Sequence, residues 1–119
     1  MGKVQREKGA RGERMWRDVC REHGYDARRG GQLYERGSVI ADVVGLPGIH
    51  QEIKFTERLR LRDAMEQSAR DARDEGLGNV PIVAHKQARM EWLVTMRAAD
   101  WFLLYREWEA GKVMGELGF

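Results

Sequence analysis

GSVIADVVGLPGIHQEIKFTER, residues 37–58, is the stretch on which the fold turns. Two short apolar runs, 39–46 and 49–55, flank Pro47-Gly48, a dipeptide that marks a turn. Runs of this kind on either side of a turn predict a β-hairpin. Folding the chain about Pro47 sets Asp42 opposite Glu52. Lys54, two residues further on, shares the face of Glu52, because successive side chains in a strand alternate. Ala41, Val43, Ile53 and Phe55 point the other way and are available for burial. Two carboxylates and one ammonium therefore converge on one face of an otherwise apolar hairpin. Charges are costly on such a surface unless something compensates them.

That constellation suits phosphodiester hydrolysis. Carboxylates on adjacent strands can hold Mg²⁺, a hard cation that prefers oxygen ligands, and Mn²⁺ can substitute for it. Such an ion polarises a phosphate and acidifies water. A lysine beside it can orient that water or neutralise charge building up on phosphorus. The bland alternative is a surface ion pair of Lys54 with Glu52 or Asp42 on a solvated sheet face. His50 receives no role, and His23 and His85 are too scattered for a zinc site.

The 119 residues are read as one domain, 1–119. Hydrophobic residues make up 42% and charged residues 34%, the mix of a globular chain with a heavily charged surface. The net charge is only +2, but it is unevenly spread. Residues 1–36 carry ten Lys or Arg against six acids, a net of +4, which leaves −2 for the remainder. A basic opening ahead of an acidic pocket fits a polyanionic partner and a cation site. Cys20 is the single cysteine, so a disulfide framework is excluded; its place in an apolar stripe suits a core thiol. No apolar run is long enough for a membrane span or a signal peptide. An intracellular protein is expected, cytoplasmic, nucleoid-associated or viral.

Working outward from the hairpin, residues 1–10 read as a basic arm. Residues 11–23 repeat Met15, Trp16, Val19 and Cys20 at helical spacing, with Gly24 as a stop. Residues 25–29 suit a first strand, and Gly30-Gly31 a loop. After the hairpin, 60–75 reads as a helix whose buried stripe is Leu61, Ala64, Met65, Ser68, Ala69 and Ala72, closed by Gly76. Residues 80–85 and 92–96 read as two more strands. The third helix, 98–110, is apolar nearly all round, with Trp101, Phe102, Leu103, Leu104, Tyr105 and Trp108; it must be deeply buried or shared with a partner. Residues 111–119 carry no clear pattern. The order α-β-β-β-α-β-β-α predicts an α/β fold: a mixed central sheet flanked by helices.

This order, with Asp42 and then Glu52-Ile53-Lys54 on the second and third strands, resembles the PD-(D/E)xK nuclease superfamily, with Ala41 in place of the proline. The opening KGARGERMWRDVCREHGYDARR, residues 8–29, resembles archaeal-type and viral Holliday junction resolvases. These carry a Lys-Gly, a Glu-Arg on the first helix (here Glu13-Arg14) and a Gly-aromatic step (here Gly24-Tyr25) into strand one. Gln67 on the second helix, Val80-Pro81 entering a strand, and Lys86 after it agree. The resemblance spans roughly residues 8–97. It implies a restriction-endonuclease-like αβββαβ core, here with an extra strand and a C-terminal helix. One departure stands out: the resolvases carry a serine in the loop after strand one, where this chain reads Arg29-Gly30-Gly31-Gln32. Ser38 falls on the next strand instead. The departure bears on junction specificity more than on nuclease chemistry.

The resemblance implies Asp42, Glu52 and the carbonyl of Ile53 as metal ligands and Lys54 as the residue serving water and phosphate. Glu13 either reaches the metal site or pairs with Arg17 one helical turn on. Gln67 either binds phosphate and orients Lys54 or is a partly exposed helix residue. Arg11, Arg14, Arg28, Arg29 and Lys86 are candidate DNA-phosphate contacts. The expected function is a Mg²⁺-dependent, structure-selective endodeoxyribonuclease acting on branched DNA as a homodimer, since two symmetric cuts need two symmetric sites. The alternatives are a general repair or restriction-type nuclease, and a DNA-binding protein of the same fold that does not cut.

Overall fold

The computed structural model describes residues 3–30 and 41–116. The expected element order is present: α1 (Lys3–Glu22), β1 (Arg28–Arg29), β2 (Val43–Val44), β3 (Ile49–Phe55), α2 (Leu61–Glu75), β4 (Val80–Lys86), β5 (Leu93–Met96) and α3 (Ala98–Glu116). The strands form one five-stranded sheet in chain order. β1, β2 and β3 pair antiparallel, β3 and β4 parallel, and β4 and β5 antiparallel. A parallel neighbour requires a crossover, and α2 is that crossover.

Alternation along β3 separates the two faces of the sheet. Gln51 and Ile53 face α1. There Trp16 and Cys20, one turn apart, join Ala27, Val43, Ile53 and Ala84 in the core, with Val19, Leu46 and Trp92 around it. Trp16 and Trp92 pack with ring centroids 5.1 Å apart. A buried indole N–H needs an acceptor, and Trp16 Nε1 donates to Gln51 Oε1 at 2.8 Å. Cys20 is the core thiol its spacing predicts, and burial pushes its pKa up. On the opposite face, α2 lays Ala64, Ser68 and Ala72 against the sheet. The Ser68 hydroxyl donates to the Ile82 carbonyl at 2.8 Å, and small residues at these positions allow that close approach.

Several boundaries differ from the sequence expectation. The helix expected to start at residue 11 begins at Lys3, so residues 3–10 of the expected arm are its first turns. The cause is packing against the end of β3. A Cβ on Gly12 would fall 2.7 Å from Phe55 Cβ, so glycine lets α1 lie directly on Phe55. Lys8 and Arg11 then cover the Phe55 ring, at 5.2 and 5.7 Å from its centroid. The first strand shortens to Arg28–Arg29 and the second to Val43–Val44. Residues 31–40, with Ser38 and the glycine-rich loop, lie outside the described residues. Leu61, expected in the buried stripe, is exposed at the start of α2, while Met65 and Ala69 are half-buried.

The largest difference is α3. It runs to Glu116 instead of ending near residue 110, and none of its residues is buried by the rest of the described chain. Among the described residues, deep burial within the chain, one of the two expected fates for so apolar a helix, does not occur.

The hairpin bends at a position that only glycine tolerates. Gly45 has φ +121°, and a Cβ there would lie 2.5 Å from the Asp26 carbonyl oxygen and 2.6 Å from Ala27 Cα. Both are backbone atoms that cannot swing aside. Gly45→Ala is expected to destabilise the protein by more than about 1 kcal/mol. A urea midpoint equal to that of the wild type would disprove this reading of the bend.

Candidate active site

The hairpin forms in the register read from the sequence: Val43 pairs with Gln51, which sets Asp42 against Glu52. β2 ends before it can continue the ladder, and a side chain takes over. The Ile53 N–H donates to Asp42 Oδ2 at 2.9 Å, and the Gly30 N–H donates to the Asp42 carbonyl at 2.8 Å. Asp42 is thus anchored at once from Gly30, just after β1, and from β3.

Glu52, His50 and Lys54 share the α2 face of β3. Gln67 of α2 bridges two of them: its Nε2 donates to Glu52 Oε2, and Lys54 Nζ donates to its Oε1, both at 3.4 Å. Gln67 is half-buried on α2 and touches Lys54. Glu13 projects from α1 toward the same place and accepts from Arg29 Nε at 3.1 Å. Arg17, the partner considered for Glu13, pairs with Asp18 instead, at 2.9 Å. Glu13, Asp42, Glu52, Ile53, Lys54 and Gln67 therefore line one open cleft of about 550 Å³, with Arg29, Arg6 and Lys8 at its walls.

The electrostatics are those of crowded carboxylates. Burial, and then the neighbouring Glu52 carboxylate, push the Asp42 pKa up to about 8. Burial also acts to raise Glu52, but the nearby His50 ring, Asp42 and the Lys54 charge outweigh it, and Glu52 is lowered. The two carboxylates thus titrate as a pair, with Asp42 raised and Glu52 lowered. This fixes the sign of a pH effect. A group whose pKa is raised on folding stabilises the native state when protonated, and that contribution is lost as pH climbs to the folded value. In EDTA, stability is expected to fall as pH rises from about 4 towards the Asp42 value of about 8. Asp42→Asn should flatten that fall, as urea midpoints across this range would show. An unchanged slope in the variant would remove Asp42 as its source.

The expected basic cluster is divided. Arg11 and Arg14 line a groove with Lys8, Phe55 and Ala88 beside the cleft. Arg29 stands in the cleft, tied to Glu13. Arg28 is exposed and pairs with Asp26 at 3.3 Å. The Lys86 side chain donates to the Met90 carbonyl and does not line the cleft. Sequence reasoning missed Arg6 and Lys8, which it assigned to the arm. It also missed His50, although 50, 52 and 54 share parity. His50 is buried between Glu52 and Glu75, with Nε2 3.6 Å from Glu52 Oε1 and Nδ1 3.5 Å from the Glu75 carboxylate. Burial lowers its pKa, but the two carboxylates outweigh that and hold it above the usual imidazole value.

No family model and no curated protein matches the chain. Among solved structures it is similar to Archaeoglobus fulgidus Hjc, a Holliday junction resolvase from an archaeal hyperthermophile. The two share 28% sequence identity with a TM-score of 0.55, over 75% of this chain and 72% of that one. The mixed sheet between α1 and α2, with its acidic cleft, is thus a resolvase-like nuclease fold.

Proposed function

We propose that this protein is a divalent-metal-dependent endodeoxyribonuclease that cuts branched DNA, as a homodimer. The observation that supports this most directly is Asp42, Glu52 and Lys54 in one cleft of a resolvase-like fold. The donor chemistry fits a hard cation. Asp42 and Glu52 offer carboxylate oxygens, and two carboxylates this close require a proton or a cation between them. The carbonyl of Ile53 is a third candidate donor: the N–H and C=O of a strand residue point to the same edge, and this edge is where β2 has ended. When bound there, Mg²⁺ or Mn²⁺ supplies charge that polarises a phosphate oxygen and acidifies water.

The chain's own residues do the rest. Gln67 holds Lys54 beside Glu52, where its ammonium can meet an incoming phosphate or orient water. Arg29 fixes Glu13 at the rim. Lys8, Arg11 and Arg14 offer phosphate contacts along the neighbouring groove, and these position the strand without reading its sequence. Arg28, exposed next to Arg29 in the chain, is a further contact. Lys86 is the weakest of the expected contacts, since its ammonium is taken up by the Met90 carbonyl.

The deciding experiment compares a labelled four-way junction with linear duplex and single strand. Cleavage of the junction with Mg²⁺ or Mn²⁺, little with Ca²⁺, and none in excess EDTA is expected. Equal cutting of linear duplex would favour a general repair or restriction-type nuclease, and full activity in EDTA would refute the metal requirement.

A further inference from the structure

Among the described residues, His50 is the one buried titratable group of the cleft region to which the nuclease reading gives no task. It is 1% exposed, and its Nε2 makes no hydrogen bond. Nδ1 faces Glu75, 3.5 Å away, and Glu75 is itself held by Asn79 Nδ2 at 3.2 Å. Nε2 faces Glu52 at 3.6 Å, beyond hydrogen-bond length. Asp71, one turn before Glu75 on α2, completes the group. A ring nitrogen of His50, a carboxylate oxygen of Glu52 and one of Asp71 lie within 4.8 Å of one another.

We propose that His50, Glu52 and Asp71 form a second cation site, distinct from the Asp42 side of Glu52, that takes a transition ion of the Zn²⁺ or Mn²⁺ kind. Three points carry this. The first is donor type: an imidazole with two carboxylates suits Zn²⁺ and similar ions, whereas Mg²⁺ prefers oxygen alone. The second is spacing. Metal–donor bonds of roughly 2.0–2.2 Å in tetrahedral geometry place neighbouring donors roughly 3.3–3.6 Å apart, and Nε2 stands 3.6 Å from Glu52 Oε1. The third is orientation. Histidine ligands commonly give their other ring N–H to a carboxylate, which fixes the tautomer that leaves the ligating nitrogen bare; Glu75 occupies that place.

The competing occupant is a proton on Nε2, which makes His50 an imidazolium between Glu52 and Glu75. It gives Asp71 no part, and it would draw Nε2 and Glu52 into a hydrogen bond. Glu52 is common to both cation sites, so an ion held by His50 weakens the hold of Glu52 on a neighbouring one.

The test is calorimetric titration of the full chain with Zn²⁺ in excess Mg²⁺, together with ¹⁵N spectra of the histidine rings. One Zn²⁺ per chain is expected, with a large shift of the His50 Nε2 resonance. His50→Gln and Asp71→Asn should each weaken binding at least tenfold. Asp71 is half-buried on a helix, so Asp71→Asn decides the matter even where His50→Gln does not fold. Zn²⁺ binding of wild-type strength in Asp71→Asn, or an unmoved His50 resonance, would overturn the site in favour of the proton. The readout is binding, so a chain that cuts no DNA tests this proposal equally well.

Discussion

Lys54→Ala is expected to slow cleavage of a four-way junction by at least about a hundredfold at saturating Mg²⁺, the scale of a lost proton-transfer or charge-stabilising group. Glu52→Gln and Asp42→Asn should do at least as much. The reason is convergence: Lys54, Glu52 and Gln67 are linked across one cleft, and Asp42 is fastened to the Ile53 N–H at its edge. DNA affinity should survive in Lys54→Ala to within a few fold. Most of it comes from phosphate contacts, and Lys8, Arg11 and Arg14 lie in the adjoining groove. Filter or gel binding in Ca²⁺ beside a single-turnover cleavage assay separates the two quantities. Gln67→Ala should cost less than Lys54→Ala, because it removes only the bridge. A Lys54→Ala protein that cuts at the wild-type rate would show that the cleft acts through other residues.

The hairpin was legible because strand parity and a turn dipeptide are local rules. Pro47-Gly48 set the register, the register set Asp42 against Glu52, and the structure has that pairing. Cys20 and the small-residue stripe of α2 were legible for the same reason, since spacing alone defines a buried helical face. What escaped is long-range. The true start of α1 depends on Gly12 meeting Phe55, more than forty residues away. Gln51 reads as a polar residue in an apolar run, and only the indole of Trp16 explains its burial. His50 could have been placed by parity with Glu52, but its two carboxylate neighbours include Glu75 on another element. The exposure of α3 could not be read at all, since an apolar helix is equally consistent with a core and with an interface.

That exposure leads to the other large effect. Wild-type protein is expected to sediment as a dimer at micromolar concentration, and Leu104→Glu with Trp108→Glu as a monomer. Trp101, Phe102, Leu103, Leu104, Tyr105 and Trp108 are each between 40% and 57% exposed. Trp101 stacks on Tyr105 at 5.3 Å, and Tyr105 meets Trp108 at 5.6 Å, a continuous aromatic ladder along the helix. Lone chains rarely leave so contiguous an apolar surface in water. A second copy is the simplest cover, since two copies of one helix can meet across a twofold axis. It also suits the proposed reaction, because the same axis brings two clefts to one branched DNA. If each large side chain contributes roughly 1.5 kcal/mol when buried, losing two raises the dissociation constant roughly a hundredfold, and more when both copies carry the changes. The charged residues make the loss larger still. The double variant should keep its monomer fold, as circular dichroism would show, because no residue of α3 is buried among the described residues; its urea midpoint should fall only by what dimerisation contributed. It should also lose paired cuts at a junction while still nicking single strands of it. A dimer that persists in the variant would move the interface off α3, to the sheet edge or the hairpin; a wild-type monomer that makes symmetric paired cuts would remove the need for a dimer altogether.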